Sequence, residues 1–276
     1  MALHVSVSYL IIRKSVVTEI MTESKSANLV PPKKGSNRVH RLLLIDAVRG
    51  LAILGVVLFH FVWDLEFVGF ISGIAFHPIW LAFGRILAGT FMFLVGVSLV
   101  LAHRQELKAK AFAKRLLILL LAASMITLVT WYAFPDTFIY FGILHAIAVA
   151  SVVGLIFLKV PTPVTFLAGV LIFILPLFIS SPVFDTRWLA WIGFSEFPPR
   201  SNDFVPVFPW VGLSLIGLAV TKFLHQKAEF VIFFNRFDGR PLIKRTGWLG
   251  RHSLIIYLLH QPALLAVILP IAQLME

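Results

Sequence analysis

The chain contains no cysteine, which excludes disulfides, zinc–thiolate sites and iron–sulfur clusters, though it leaves the compartment open. Charge is also scarce: only 13% of the 276 residues are Asp, Glu, Lys or Arg, while 59% are hydrophobic and the mean hydropathy is +0.93. Such a composition excludes a soluble globular domain and defines an all-α, polytopic membrane helical bundle. Acidic residues are the scarcest charges, 13 against 24 Lys and Arg, giving a formal net charge of +11. The cations alternate between loops, as orientation determinants do, so nucleic acid is not the partner expected. The expected partner is membrane lipid.

Seven apolar runs read as spans, at about 43–63, 79–102, 114–134, 138–158, 163–181, 206–224 and 252–272. Cations precede the first run (Arg13, Lys14, Lys25, Lys33, Lys34, Arg38, Arg41). More lie between the second and third (Arg104, Lys108, Lys110, Lys114, Arg115), and Lys159 lies between the fourth and fifth. Others fall from Lys222 to Arg251, whereas the alternate loops hold only Arg187 and Arg200. The positive-inside rule then puts the N-terminus in the cytoplasm and the C-terminus outside. Residues 1–40 read as a disordered basic cytoplasmic tail rather than a signal peptide, because the cations follow the short apolar stretch instead of preceding it. Met21 is an alternative start, which would make residues 1–20 an extension, and 41–276 form the transmembrane domain. The tract 228–237 reads as a short interfacial helix, and Trp188 and Trp191 place part of the 180–206 loop at the interface. Pro176 and Pro262 are expected to kink their helices.

The first span is the most informative. At 100° per residue, Asp46, Arg49, His60 and Asp64 fall within an arc of roughly 60° and extend over about 27 Å. Ionisable groups in hydrocarbon cost several kcal/mol each, so this stripe is expected to face a protein interior or a watery cavity. Arg49 and Asp46 are either a self-neutralising i, i+3 pair or the receiver of an anionic, phosphate-bearing ligand. Asp64, one turn beyond His60, is placed to hold its ring by a hydrogen bond. Arg85 in the second span is read as partner to an outer acid such as Asp64, or to an anionic substrate. His77 stands in a loop just before the second span. His145 lies about two turns below the outer surface, and His260, followed by Gln261, near mid-membrane. These last three residues are cavity-lining candidates or structural glue. No histidine pair has helical metal-ligand spacing, so no metal is expected.

Five stretches carry a resemblance: RLLLIDAVRGLAILGVVLFHFVWDL (41–65), FGRILAGTFMFLVGVSL (83–99), FGILHAIAVAS (141–151), DFVPVFPWVGLSLIGLA (203–219) and LGRHSLIIYLLHQPAL (249–264). With these the chain resembles bacterial members of the heparan-α-glucosaminide N-acetyltransferase catalytic-domain family, within the wider transmembrane acyltransferase superfamily. The resemblance implies an integral protein of the bacterial inner membrane. Such a protein moves an acetyl or acyl group from cytosolic acyl-CoA to an extracytoplasmic acceptor, here an amino sugar or glycan, through a His base near the outer face. Acetyl-CoA is then a donor substrate, with Arg49 and Asp46 at its binding site. The superfamily pattern puts the base eleven residues after the first-helix Arg, which is His60. The heparan-type pattern puts it shortly before the second span, which is His77. The reading leans to His77 as base, with His60 held by Asp64. A transporter or channel for a small anion, marked by Arg49 and Arg85, is the alternative from another class.

Overall fold

The computed structural model describes residues 42–103, 106–226 and 240–275. The basic tail at 1–41, Arg104 and the 228–237 tract lie outside the described residues. Among the described residues eight α-helices follow one another: α1 Leu43–Phe67, α2 Pro78–Ala102, α3 Ala109–Ala133, α4 Ile143–Phe157, α5 Thr162–Ile174, α6 Val207–His225, α7 Pro241–Arg251 and α8 Ser253–Met275. No strand interrupts them among the described residues. Five helices, α1, α2, α3, α6 and α8, are long and apolar enough to cross a membrane, while α4 and α5 are shorter apolar helices. Large apolar side chains lie bare along their outer faces, among them Leu51, Leu54 and Leu58 on α1 and Leu117, Leu121 and Leu128 on α3. In water such a surface would be prohibitive; against lipid it has no cost.

The helices close into a ring. α1 packs on α2, α2 on α6, α6 on α4, α4 on α3, and α8 returns to α1. Leu254, Tyr257 and Leu258 of α8 complete the circuit against Leu119, Ala122 and Ala123 of α3 and Leu144 of α4. The main core, including Met92, Ala146, Ala150, Val211 and Leu215, fills the space among α2, α4 and α6. Because lipid is as apolar as these side chains, close backbone approach and buried polar bonds must supply much of the cohesion. Ser214 donates to the Met92 carbonyl at 2.7 Å, and Lys222 caps the C-terminal carbonyls of α4 at Phe157, Leu158 and Val160.

Three boundaries differ from the apolar runs. α3 begins at Ala109, so Lys110, Lys114 and Arg115 lie on helix rather than loop. α4 begins only at Ile143, because Phe141 pairs with Phe204 in an isolated bridge and the Val205 N–H bonds the Phe141 carbonyl. α5 gives way at Leu175 to a 3-10 turn around Pro176, while α8 continues as helix through Pro262 and Pro270. Trp191 lies in a 3-10 turn, Ala190–Ile192, its indole donating to the carbonyl of Trp188, which is 88% exposed.

The largest correction concerns α7. Its cations are orientation signals in the sequence, yet the helix packs along the N-terminal half of α1. A Cβ on Gly50 would overlap the Thr246 carbonyl, and one on Gly250 the Asp46 carbonyl, so these helices cross backbone to backbone. α8 then follows α1 in the same direction as far as Gln261, which meets Asp64.

Candidate active site along the first helix

Both polar groups of α1 face other helices, as the stripe requires. At the N-terminal end Asp46 is buried. The Arg49 guanidinium donates to Asp46 Oδ1 at 3.1 Å and to Ser98 Oγ on α2 at 2.6 Å. The self-neutralising pair is therefore present, with a second anchor. Arg115 of α3 lies within electrostatic reach of Arg49. Two guanidiniums near one carboxylate leave local positive charge, which suits an anion.

At the C-terminal end Asp64 is 2% exposed, yet it does not hold His60. Its Oδ1 accepts from Gln261 Nε2 at 2.7 Å, and its Oδ2 has no partner. The expected ring clamp is replaced because α8 delivers an amide to the carboxylate first. Nor does Arg85 reach Asp64: Arg85 is exposed on α2. His60 instead turns its Nδ1 to the Val56 carbonyl at 2.9 Å. A carbonyl can only accept, so Nδ1 carries the proton of the neutral ring and Nε2 keeps its lone pair. The same bond forms at His103 and His252, so it is not by itself a site signature. What distinguishes His60 is its neighbour, the ring of His260, edge-on with centroids 4.7 Å apart. His260 repeats the pattern, with Nδ1 2.6 Å from the Tyr257 carbonyl and a buried Nε2 that no donor meets.

Two buried acceptors without donors, Asp64 Oδ2 and His260 Nε2, thus lie in one seam beside Gln261 Oε1, which also lacks a donor. Each such atom costs about 1–3 kcal/mol when buried without a partner.

The other histidines fall elsewhere. His77 is exposed and caps α2, its Nδ1 accepting the Ile79 N–H at 3.3 Å. No ring contact joins it to His60. The loop before it is drawn in by Glu66, whose carboxylate takes the N–H groups of Gly73, Ile74 and Ala75. His145 lies in the first turn of α4, where Nδ1 accepts the Gly142 N–H and Nε2 approaches Thr127 Oγ1 at 3.4 Å. The sequence reading missed Asp203. Its Oδ2 accepts the Ile143 N–H and the Tyr257 hydroxyl, each at 2.9 Å. Burial pushes this carboxyl above the usual range, against the pull of those two donors. The available signal was an acid immediately before an apolar span, in a loop otherwise rich in Phe and Pro.

The profile of the family described as "heparan-alpha-glucosaminide N-acetyltransferase, catalytic" matches residues 41–262, which takes in α1 through the Gln261 seam. The chain belongs to this family. No curated protein and no solved structure matches it. Heparan-alpha-glucosaminide N-acetyltransferase membership, with five apolar helices of spanning length, makes the chain a multi-pass membrane protein and implies a membrane acetyltransferase. Membership does not favour the anion-transporter alternative. Among the described residues no group of three or more His, Cys, Asp or Glu could hold a metal ion.

Proposed function

We propose that the protein takes an acetyl group from cytosolic acetyl-CoA and transfers it to an amino sugar or glycan on the other side of the bacterial inner membrane. The observation that carries this reading is the distribution of polar groups on α1. Arg49, suited to the donor's phosphates, stands eleven residues before His60, about 16.5 Å along the helix. An extended pantetheine arm bridges that distance, with phosphates at one end and thioester at the other. The parallel course of α1 and α8 supports an odd number of spans; the cation pattern is the ground for taking seven, with the N-terminus in the cytoplasm. Reporter fusions at Glu106 and after Met275 should then read cytoplasmic and extracytoplasmic.

His60 acts as the base in this reading. Its Nε2 lone pair takes the proton as the acceptor's N–H or O–H attacks the thioester carbonyl. The new C–N or C–O bond forms, the C–S bond breaks, and CoA leaves as a thiolate that is reprotonated from water. His77 is the competing base, but its Nδ1 already receives a backbone N–H, which puts the ring proton on Nε2. Asp64, Gln261 and His260 line the acceptor end; Arg85 and His145 stay peripheral.

The test is purified protein with labelled acetyl-CoA over a panel of amino sugars and glycans. Released CoA is readable with a thiol reagent, since the chain has no cysteine of its own. Acetylated product supports the reading, and acetyl-CoA left intact with every acceptor overturns it.

A further inference from the structure

Asp203 stands outside the α1 seam but is tied to it by a short chain of contacts. Its Oδ2 takes the Tyr257 hydroxyl, the Tyr257 ring lies 5.5 Å from that of His260, and the His260 ring lies 4.7 Å from that of His60. The second donor, the Ile143 N–H, belongs to the first turn of α4 and adds the positive end of a helix dipole. Position is thus fixed from three elements at once: the loop before α6, the start of α4, and α8. A carboxylate so placed needs a cation, and among the described residues no ion pair reaches it. The titratable groups within hydrogen-bond or electrostatic reach of Asp203 are His145 from α4 and Tyr257 and His260 from α8, with His60 of α1 beyond the His260 ring. None of them is a permanent cation.

We infer that Asp203 is a positioning residue for acetyl transfer, whose charge is matched by a cation only when an imidazole of the His60–His260 pair takes the acceptor's proton. The inference rests on the acetyltransferase reading above. An interaction that is stronger in the transition state than in the ground state accelerates the chemical step, and a preorganised charge in a water-poor site requires no reorganisation when the proton moves. Asp203 touches neither substrate; it acts through the histidines. The geometry also explains the two donors on one oxygen. They hold the carboxylate in place and favour its charged form against the opposing effect of burial.

Substitution can separate charge from structure here. In Asp203→Asn the side-chain oxygen still accepts from Tyr257 and Ile143, so the loop, α4 and α8 stay joined, but the charge is gone. In Tyr257→Phe the charge stays and one bond is lost. The probe pair is acetyl-CoA and glucosamine, with released CoA and acetylated product followed together. Asp203→Asn should lower kcat by about 10–100-fold, with acetyl-CoA Kd, glucosamine KM and thermal midpoint close to wild type. Asp203→Glu should recover part of that rate. Tyr257→Phe should keep kcat within about threefold, because the charge that acts on the histidines stays in place; the lost hydrogen bond to a charged group should show instead in the thermal midpoint. A wild-type enzyme that transfers acetyl, beside an Asp203→Asn enzyme of equal kcat, overturns the inference alone. So does a Tyr257→Phe loss as large as that of Asp203→Asn, which would make the role structural. A wild-type protein that leaves acetyl-CoA intact overturns the acetyltransferase reading and this inference with it.

Discussion

The two ends of α1 solve the problem of buried polarity in opposite ways. At the N-terminal end donors and acceptors meet: Arg49 bonds Asp46 and Ser98, and the helix is clamped by backbone contact between Gly50 and Thr246 and between Gly250 and Asp46. At the C-terminal end acceptors outnumber donors: Asp64 Oδ2, Gln261 Oε1 and His260 Nε2 are buried without partners. One end pairs its charges, Arg49 with Asp46, and holds a second guanidinium, Arg115, within electrostatic reach of Arg49. The other is unsatisfied and can receive protons. On the proposed function, a single helix would offer an anion site at one end and a base site at the other, the division of labour that transfer from a phosphate-bearing donor demands.

The contrast is broken most severely at the base. His60→Ala should cut acetyl transfer by about 10²–10⁴-fold, the usual contribution of a positioned general base, while acetyl-CoA Kd stays near wild type. Turnover and equilibrium binding measured on the same preparation decide it. A fall in both together would place His60 in donor binding and merge the two ends. Next in size is the clamp. Gly50→Val puts a branched side chain where the Thr246 carbonyl already lies, so α7 must leave α1. The expected outcome is little folded protein by size-exclusion chromatography in detergent. A variant of normal yield and thermal midpoint would show that α7 is dispensable to the crossing.

Arg49→Ala should weaken donor binding and, because it strands the buried Asp46, lower the thermal midpoint as well. Charge-assisted hydrogen bonds contribute about 1.5–3 kcal/mol, so acetyl-CoA Kd should rise by about 10–100-fold while kcat at saturating donor changes little. Isothermal titration with acetyl-CoA is the measurement. Unchanged affinity would leave Arg49 as a structural partner of Asp46 and Ser98 only.

What the sequence disclosed follows the same division. Apolar runs located the apolar helices, five of them of spanning length, because hydropathy is local, and the 60° arc turned Asp46 and Arg49 toward neighbouring helices because helical period needs no partner. The spacing of His60 and Asp64 suggested a mutual bond, and it misled, since the partners arrive from about 200 residues away: Gln261 for Asp64 and His260 for His60. α7 was hidden for the converse reason. Its cations read as loop charge, but they flank the small residues Thr246, Gly247 and Gly250 that bury its other face. Asp203 lay in a loop, where no periodicity marks a side chain, and its role depends on Tyr257 and the start of α4 meeting it in space.

The smallest expected effect belongs to His77, and it sharpens the comparison because His77 is the rival base. In its present setting it caps α2, and loss of an N-cap costs about 0.5–2 kcal/mol of stability. His77→Ala should therefore lower the thermal midpoint slightly and leave transfer within about threefold, a change equivalent to roughly 0.65 kcal/mol. The physical ground is the proton on its ring. While Nδ1 accepts the Ile79 N–H, the neutral ring carries its proton on Nε2 and has no free lone pair, unlike His60 and His260, each bonded through Nδ1 to a carbonyl. That cap bond is 3.3 Å long and exposed, so a bound acceptor could displace it. A His77→Ala enzyme that loses about a hundredfold or more in turnover with donor affinity intact would move the base to the loop before α2. The seam between α1 and α8 would then remain as the wall that orients the acceptor.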